Sequence, residues 1–506
     1  MAWGEPGFGS LSDRLCHGQV VFCLRSVSAA LACLFLFGLV SARTPSAFHT
    51  PKAPARIGRA DIVFVEASTV ASGDLSQRFP QGSRLVRLRP GVESAPLAIL
   101  TPSFFAAADP QPSSDDAKVV FSGQKASGER WQVWEMNADG SGQHQVTNCQ
   151  ADCLRPAYLP NDEIAYTEAS VKEGRAVSHL MVSKTNGSDA RRITFGPGDF
   201  QVETVLRNGL ILISASWPLR AEGEATASRQ FYTIRPDGTA LESFRCEHSQ
   251  PAIRTQAEEL EDGSVVFVKK THASGLAGGK LALIRRGAAH NVPLGPPQVL
   301  TWSSRELAGS ELIVSRWIHS LRGAPGRFDL YAFDIKSGTF GKRIYGDSQF
   351  SSIQAVAVTP RPVPKRFWSL VNPEAKAGYF ICLNSYLSED APKGRFSTPI
   401  ARVRVLALEP TSDQEHGLGE APVEKDGSFY VAVPPDQPVR FELLDANSRT
   451  IHAQRSWVWA RPGEEHGCPG CHEDKALAPD NRWPLTLKRF DTPTSLGVSD
   501  HAAKKP

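Results

Sequence analysis

"KVVFSGQKASGERWQVWEMNADGSGQHQVT", residues 118–147, packs five signals into one stretch. A short apolar strand is followed by a polar loop, a second strand, a glycine turn and a third strand. The runs "KVVFSGQ" and "QVWEM" are rich in β-branched and aromatic residues, too short for a helix, and bounded by Gly, Asn and Asp. "NADGSG" supplies the positive φ that a tight hairpin needs. No helical pattern follows these glycines, so they read as a turn and not as a phosphate-binding loop.

The same order recurs along the chain. Opening strands read "DIVFVEAS" from Asp61, "KVVFSGQ" from Lys118, "EIAYTEAS" from Glu163, "LILISAS" from Leu210, "SVVFVKK" from Ser264 and "ELIVSRW" from Glu311. Each is followed by a partner strand and a Gly-containing turn, as in "HLMVSKTNGSD" and "QFYTIRPDGTA", and two units close on "HQVT" and "RRIT". The openers stand 45 to 57 residues apart. That period, with about four strands per unit, is the pattern of a β-propeller. A four-stranded sheet cannot bury its faces alone, whereas sheets stacked radially can. The expected fold class is therefore all-β: a six-bladed β-propeller over residues 60–358, followed by a small β-sandwich domain carrying a c-type haem motif.

Composition agrees. The chain of 506 residues has 41 Gly and 37 Pro, consistent with many turns. Lys+Arg 56 against Asp+Glu 53 leaves no basic excess, so nucleic acid is not an expected partner. Arg25 precedes the apolar run 27–40, which is shorter than the roughly 20 residues of a membrane span. With small residues at Val40-Ser41-Ala42, residues 1–42 read as a secretory signal peptide. The chain is expected to be exported, to the periplasm or the extracellular space, and membrane-attached only if 27–40 stays as an uncleaved anchor. "TPRPVPKRFW", residues 359–368, is a proline-stiffened linker. Residues 369–462 alternate as a small antiparallel sandwich, in "FYVAV" and "VRFELLD". Residues 463–506 form a C-terminal segment.

That segment opens on "HGCPGCHED". Cys468 and Cys471 flank two residues, and His472 follows directly. Three chemistries compete for such a motif. Structural zinc wants a second ligand pair, which is missing. A redox dithiol wants a thioredoxin-like βαβ setting, also missing. Haem c needs two thiols for the two porphyrin vinyls and a histidine beneath the iron, which C-x-x-C-H supplies. The expected cofactor is one covalent haem c on Cys468 and Cys471, with His472 as proximal iron ligand. Met136 and Met181 lie in propeller strands, so the other side of the iron is left to His452, His466 or no residue, with His501 further off. Six cysteines follow the signal. Cys149 and Cys153 are close enough to form a local disulfide in an oxidising compartment. Cys246 and Cys382 stand alone in the sequence.

From Gly378 to Asp474, "GYFICLNSYLS", "DGSFYVAVPPDQPVRFELLD" and "RPGEEHGCPGCHE" resemble the hydrazine synthase alpha subunit family, and above all its middle domain, behind a TolB-like propeller. The resemblance implies a haem held by Cys468 and Cys471 near the propeller. It also implies an extra thiol linkage, for which Cys246 and Cys382 are both available. In that enzyme a tyrosine just after the motif ligates the iron and a further domain holds a second haem. Here "EDKALAP" follows His472, no tyrosine occurs after Tyr430, and the sequence has a single C-x-x-C-H. Hydrazine synthesis is therefore not expected. Two functions stay open: a monohaem cytochrome-like protein that transfers electrons or acts on a small molecule, with a redox partner protein or small-molecule substrate; or a propeller-based binding or scaffold protein in which the haem is structural or regulatory.

Overall fold

The strands named above are the second of each blade, not the first. The computed structural model describes residues 60–498 apart from 71–78, 91–96, 173–174, 218–227, 245–251, 272–277, 286–289, 320–325, 389–390, 410–413, 455 and 471–481. The signal segment, Cys246, Cys471, His472 and His501 lie outside the described residues.

Blade I runs Ala106–Pro112, Lys118–Gln124, Gln132–Asn137, His144–Gln145. Blade II runs Asp152–Leu159, Glu163–Lys172, Arg175–Lys184, Arg191–Arg192, and blade III Asp199–Val205, Ile211–Ser216, Gln230–Ile234, Glu242–Ser243. Blades IV and V begin with Ala252–Glu259 and Thr301–Ala308. Blade VI takes its inner strand from far along the chain: Ser351–Val358 pairs antiparallel with Asp61–Ala67, which continues to Arg84–Leu88 and Ala98–Ile99. The ring closes by joining its two ends in one sheet, which leaves no long open edge.

Each innermost strand is polar where a strand pattern should be apolar. Register shifts break them between Ala108 and Gln111, Leu154 and Ala157, Val202 and Thr204, Thr255 and Glu258, and Ile353 and Val356. Asp109, Arg155, Gln256 and Gln354 sit there at φ 55°, 53°, 56° and 52°. A bulge pulls backbone N–H groups out of the ladder, and buried donors need partners. The neighbouring blade supplies them. Asp109 N donates to Gln354 Oε1 (2.9 Å), Arg155 N to Asp109 Oδ2 (3.2 Å), and Val202 N to Thr167 Oγ1 (3.0 Å). Ala257 N donates to Glu203 Oε2 (3.2 Å) and Gln354 N to Ser303 Oγ (2.9 Å). An Arg305–Glu258 ion pair links blade V to blade IV and completes the circuit.

The proline-rich segment straps one end of the ring. Arg361 N donates to Ser114 O (2.8 Å) and its guanidinium to Pro112 O (2.8 Å), on blade I. Its charge reaches the channel: burial first, then Arg361 and Arg155, push Arg305 down to about 10. Further on, Lys365 N donates to Arg207 O (3.0 Å) and Leu370 N to Asp237 Oδ2 (2.8 Å), both on blade III turns.

The sandwich has two four-stranded sheets. One orders Glu465–Cys468, Gly378–Cys382, Phe429–Val433, Thr494–Ser495; the other orders Glu415–Pro422, Arg402–Leu408, Val439–Leu444, Thr450–Ala453. Phe380, Val403, Val405, Val431, Phe441 and Leu443 fill the space between them. Residues 463–506, expected as a separate haem-binding segment, contribute two strands to this sandwich. Both pair in parallel with strands distant in sequence, so no hairpin signal announces them. Propeller and sandwich form one compact unit. Their joint is Trp459, 1% exposed, whose indole lies among blade II and III side chains and donates to Gly238 O (3.2 Å).

Candidate functional site

Cys468 is the last residue of an edge strand. Glu465–Cys468 runs parallel to Gly378–Cys382, in a register that sets Phe380 beside His466 and Cys382 beside Cys468. Leu383 N donates to Cys468 O (2.9 Å) and holds this end of the pair. Side chains alternate along a strand, so these four residues share the face turned to the sandwich core. Phe380 and Cys382 belong to that core and Cys468 packs against it. Neither thiol is in a disulfide; Cys382 is 2% exposed and Cys468 is half-buried. The opposite face is sealed separately, with Tyr430 OH donating to Glu465 Oε1 (2.8 Å).

His466 stands between the thiol and the propeller. Its ring centroid lies 5.4 Å from that of Phe380, and its Nδ1 is 3.7 Å from Glu464 Oε1. Burial pulls the imidazolium down, but the neighbouring Cys468 thiol and Glu464 carboxylate outweigh it and hold the ring up at about 10. Glu464 in turn accepts from Ala240 N (2.7 Å), on a blade III turn, and from Arg461 N (2.7 Å). The line Ala240–Glu464–His466–Cys468 thus runs from propeller to thiol. Glu464 is the residue that sequence reasoning missed: "RPGEEHGC" offers two adjacent glutamates and nothing local says which turns inward.

His452 belongs to the other sheet. It lies on the edge strand Thr450–Ala453, opposite Leu443, with its ring 5.3 Å from that of Phe396. Leu496, beside the strand Thr494–Ser495, lies against Gly419 of the facing sheet's edge, and the adjacent Gly497 lies against Leu418. The two remaining edges, Thr450–Ala453 and Glu465–Cys468, therefore flank the other side of the sandwich. His452, His466 and Cys468 are brought to that side together. Cys471 and His472 lie just past it in the chain and outside the described residues. Cys149 and Cys153 are far away on blade II, bonded to each other with Cα atoms 6.3 Å apart.

The site suits attachment of a flat apolar group. A thiol stands where the chain leaves the sheet, aromatic rings line its face, and two histidines are on hand. Residues 399–473, which take in the cysteine motif, match the family model of the hydrazine synthase alpha subunit middle domain. Hydrazine synthase subunit alpha of Kuenenia stuttgartiensis is 34% identical over 542 aligned positions, covering 81% of this chain and 65% of that protein. The chain thus spans just under two thirds of that relative's length. The solved Kuenenia stuttgartiensis hydrazine synthase shares the fold, with a TM-score of 0.74 at 20% identity over 85% of this chain and 71% of that one. TolB from Acinetobacter baumannii aligns with 60% of this chain and 67% of its own, at 12% identity and a TM-score of 0.41.

Proposed function

We propose that this hydrazine synthase alpha subunit-like chain is an exported monohaem protein, with one haem c on thioethers from Cys468 and Cys471 and His472 as proximal ligand. Its work is electron transfer, or redox chemistry on a small molecule. The observation that carries the reading is the placement of Cys468: a reduced thiol at the end of an edge strand, against an apolar face, in the half-motif that C-x-x-C-H chemistry requires. When bound, the haem supplies an iron that exchanges single electrons or takes a small ligand.

The chain's own residues do the positioning. The parallel pairing with Gly378–Cys382 fixes Cys468, and Glu464 ties that strand to blade III. His466 and His452 are the candidates for the far side of the iron, one from each sheet. Hydrazine synthesis itself is not part of the proposal, because no tyrosine follows Tyr430.

Replacing Cys468 and Cys471 together with Ala should abolish haem that survives denaturing electrophoresis, read by peroxidase staining. Covalent haem persisting in that double variant would overturn the assignment. In the haem-loaded protein, electron paramagnetic resonance should show a low-spin ferric signal that turns high-spin in His452→Ala or in His466→Ala. A high-spin signal unchanged in both would remove the histidine pair.

A further inference from the structure

The disulfide on blade II has neighbours that a purely structural bridge does not need. Cys149 precedes the inner strand, and Cys153 lies within it, fully buried. In register across the sheet, Cys153 faces Glu168, and Glu168 faces His179 on the third strand. Residues opposed in this way share a face, with Cβ atoms about 5 Å apart. The two sulfurs and a Glu168 carboxylate oxygen all lie within 4.8 Å of one another. Among the described residues the Glu168 carboxylate takes no hydrogen bond and no ion pair. His179 Nδ1 is buried and likewise has no hydrogen-bond partner. Two sulfurs and a carboxylate converge on one patch of sheet, with the imidazole on the strand beyond.

We infer that Cys149, Cys153 and Glu168 form a redox-gated binding site for a thiolate-preferring divalent cation, of which Zn2+ is the type. Two sulfurs and one oxygen supply three of the four ligands that tetrahedral zinc takes, and water completes the set. While Cys149 and Cys153 are joined, neither offers a thiolate, and the site is shut. A dithiol reductant opens it. The S–S bond breaks, each sulfur gains one electron and one proton, and the reductant's two S–H groups become its own disulfide. Zn2+ then displaces both protons as the thiolates bind.

The fold keeps the ligands together once the bridge is cut. Gln132 clamps the Cys149 backbone from both sides: Cys149 N donates to Gln132 Oε1 (2.9 Å), and Gln132 Nε2 donates to Cys149 O (3.0 Å). Cys153 N donates to Trp131 O (2.8 Å). Both cysteines are thus pinned to the neighbouring blade by main-chain contacts that do not depend on the bridge.

The test uses the full-length chain carrying Cys468→Ala and Cys471→Ala, so that the C-terminal thiols cannot bind metal. The chain is reduced with a water-soluble phosphine, which takes up oxygen from water as the disulfide opens, and is then freed of excess reagent without air. Zn2+ is titrated against a chromogenic chelator, and Co2+ is added in parallel to count thiolates from its charge-transfer absorption. The expected result is one ion per reduced chain, none on the oxidised chain at the same concentrations, and a Co2+ band of two-thiolate intensity. Glu168→Gln should weaken binding at least tenfold, with circular dichroism unchanged. Reduced protein that takes up no ion would overturn the proposal. So would affinity undiminished in Glu168→Gln, since binding would then belong to the dithiol alone.

Discussion

Trp459→Ala removes the side chain that joins the two parts of the molecule. The indole is 1% exposed, its ring centroid lies 5.9 Å from Phe195 and 5.8 Å from Phe200, both edge-to-face, and its N–H donates to Gly238 O. A buried Trp removes about 150–250 Å² from water, which at about 25 cal/mol per Å² is roughly 4–6 kcal/mol. Partial collapse of the neighbours recovers some of this, and measured Trp→Ala costs run at about 3–5 kcal/mol. The expected loss is about 4 kcal/mol. Trp459→Phe keeps much of the apolar contact and both ring pairs but strands the Gly238 carbonyl, at about 1–2 kcal/mol. Urea unfolding followed by near-ultraviolet circular dichroism gives both values. Limited proteolysis should also cut the Ala variant faster around 370–377, where the strap enters the sandwich. A loss below about 1 kcal/mol for Trp459→Ala, or equal losses for Ala and Phe, would refute the claim that indole burial holds the sandwich to blades II and III.

Gly209 has φ +89°, and a Cβ there would meet Lys365 O at 2.0 Å. Gly209→Ala should cost at least about 2 kcal/mol, from the left-handed backbone plus displacement of the strap, whereas Gly82→Ala, at φ +82° with nothing within 4 Å, should cost only about 1 kcal/mol; their thermal midpoints separate the two. His179 supplies a pH dependence. Its folded pKa is depressed to about 3 by burial and by Arg192, against 6.5 unfolded, so the unfolded chain binds the extra proton between those values. Its contribution is complete above pH 6.5 and is lost as the pH falls toward 3. The ceiling is about 5 kcal/mol, at about 1.36 kcal/mol per unit, and the partly exposed ring realises less than that. His179→Gln should flatten the stability profile over that window, and an unchanged slope would show that other groups set it.

Sequence alone determined the parts of this protein that depend on near neighbours. Six runs such as "KVVFSGQ" and "SVVFVKK" alternate because one strand face meets apolar blade neighbours, and the "ADG" and "PDG" turns carry positive φ within a few residues of the strands they join. They were enough for an all-β propeller followed by a β domain, and "CPGCH" for the chemistry to look for. The inner strands were illegible for a physical reason. Asp109, Arg155, Glu203 and Glu258 are buried, yet their partners belong to the next blade, so locally they read as polar loop. Nothing local marks Ser351–Val358, and only the closed ring makes it the inner strand of a blade begun at Asp61. Cys382 and Cys468 look unrelated in sequence, and Glu464 looks like Glu465. Parallel pairing sets the first two side by side, and docking on Ala240 selects the third. Contacts of this kind are paid for in loop-closure entropy and return free energy only when the whole domain is assembled, so no local pattern of residues records them.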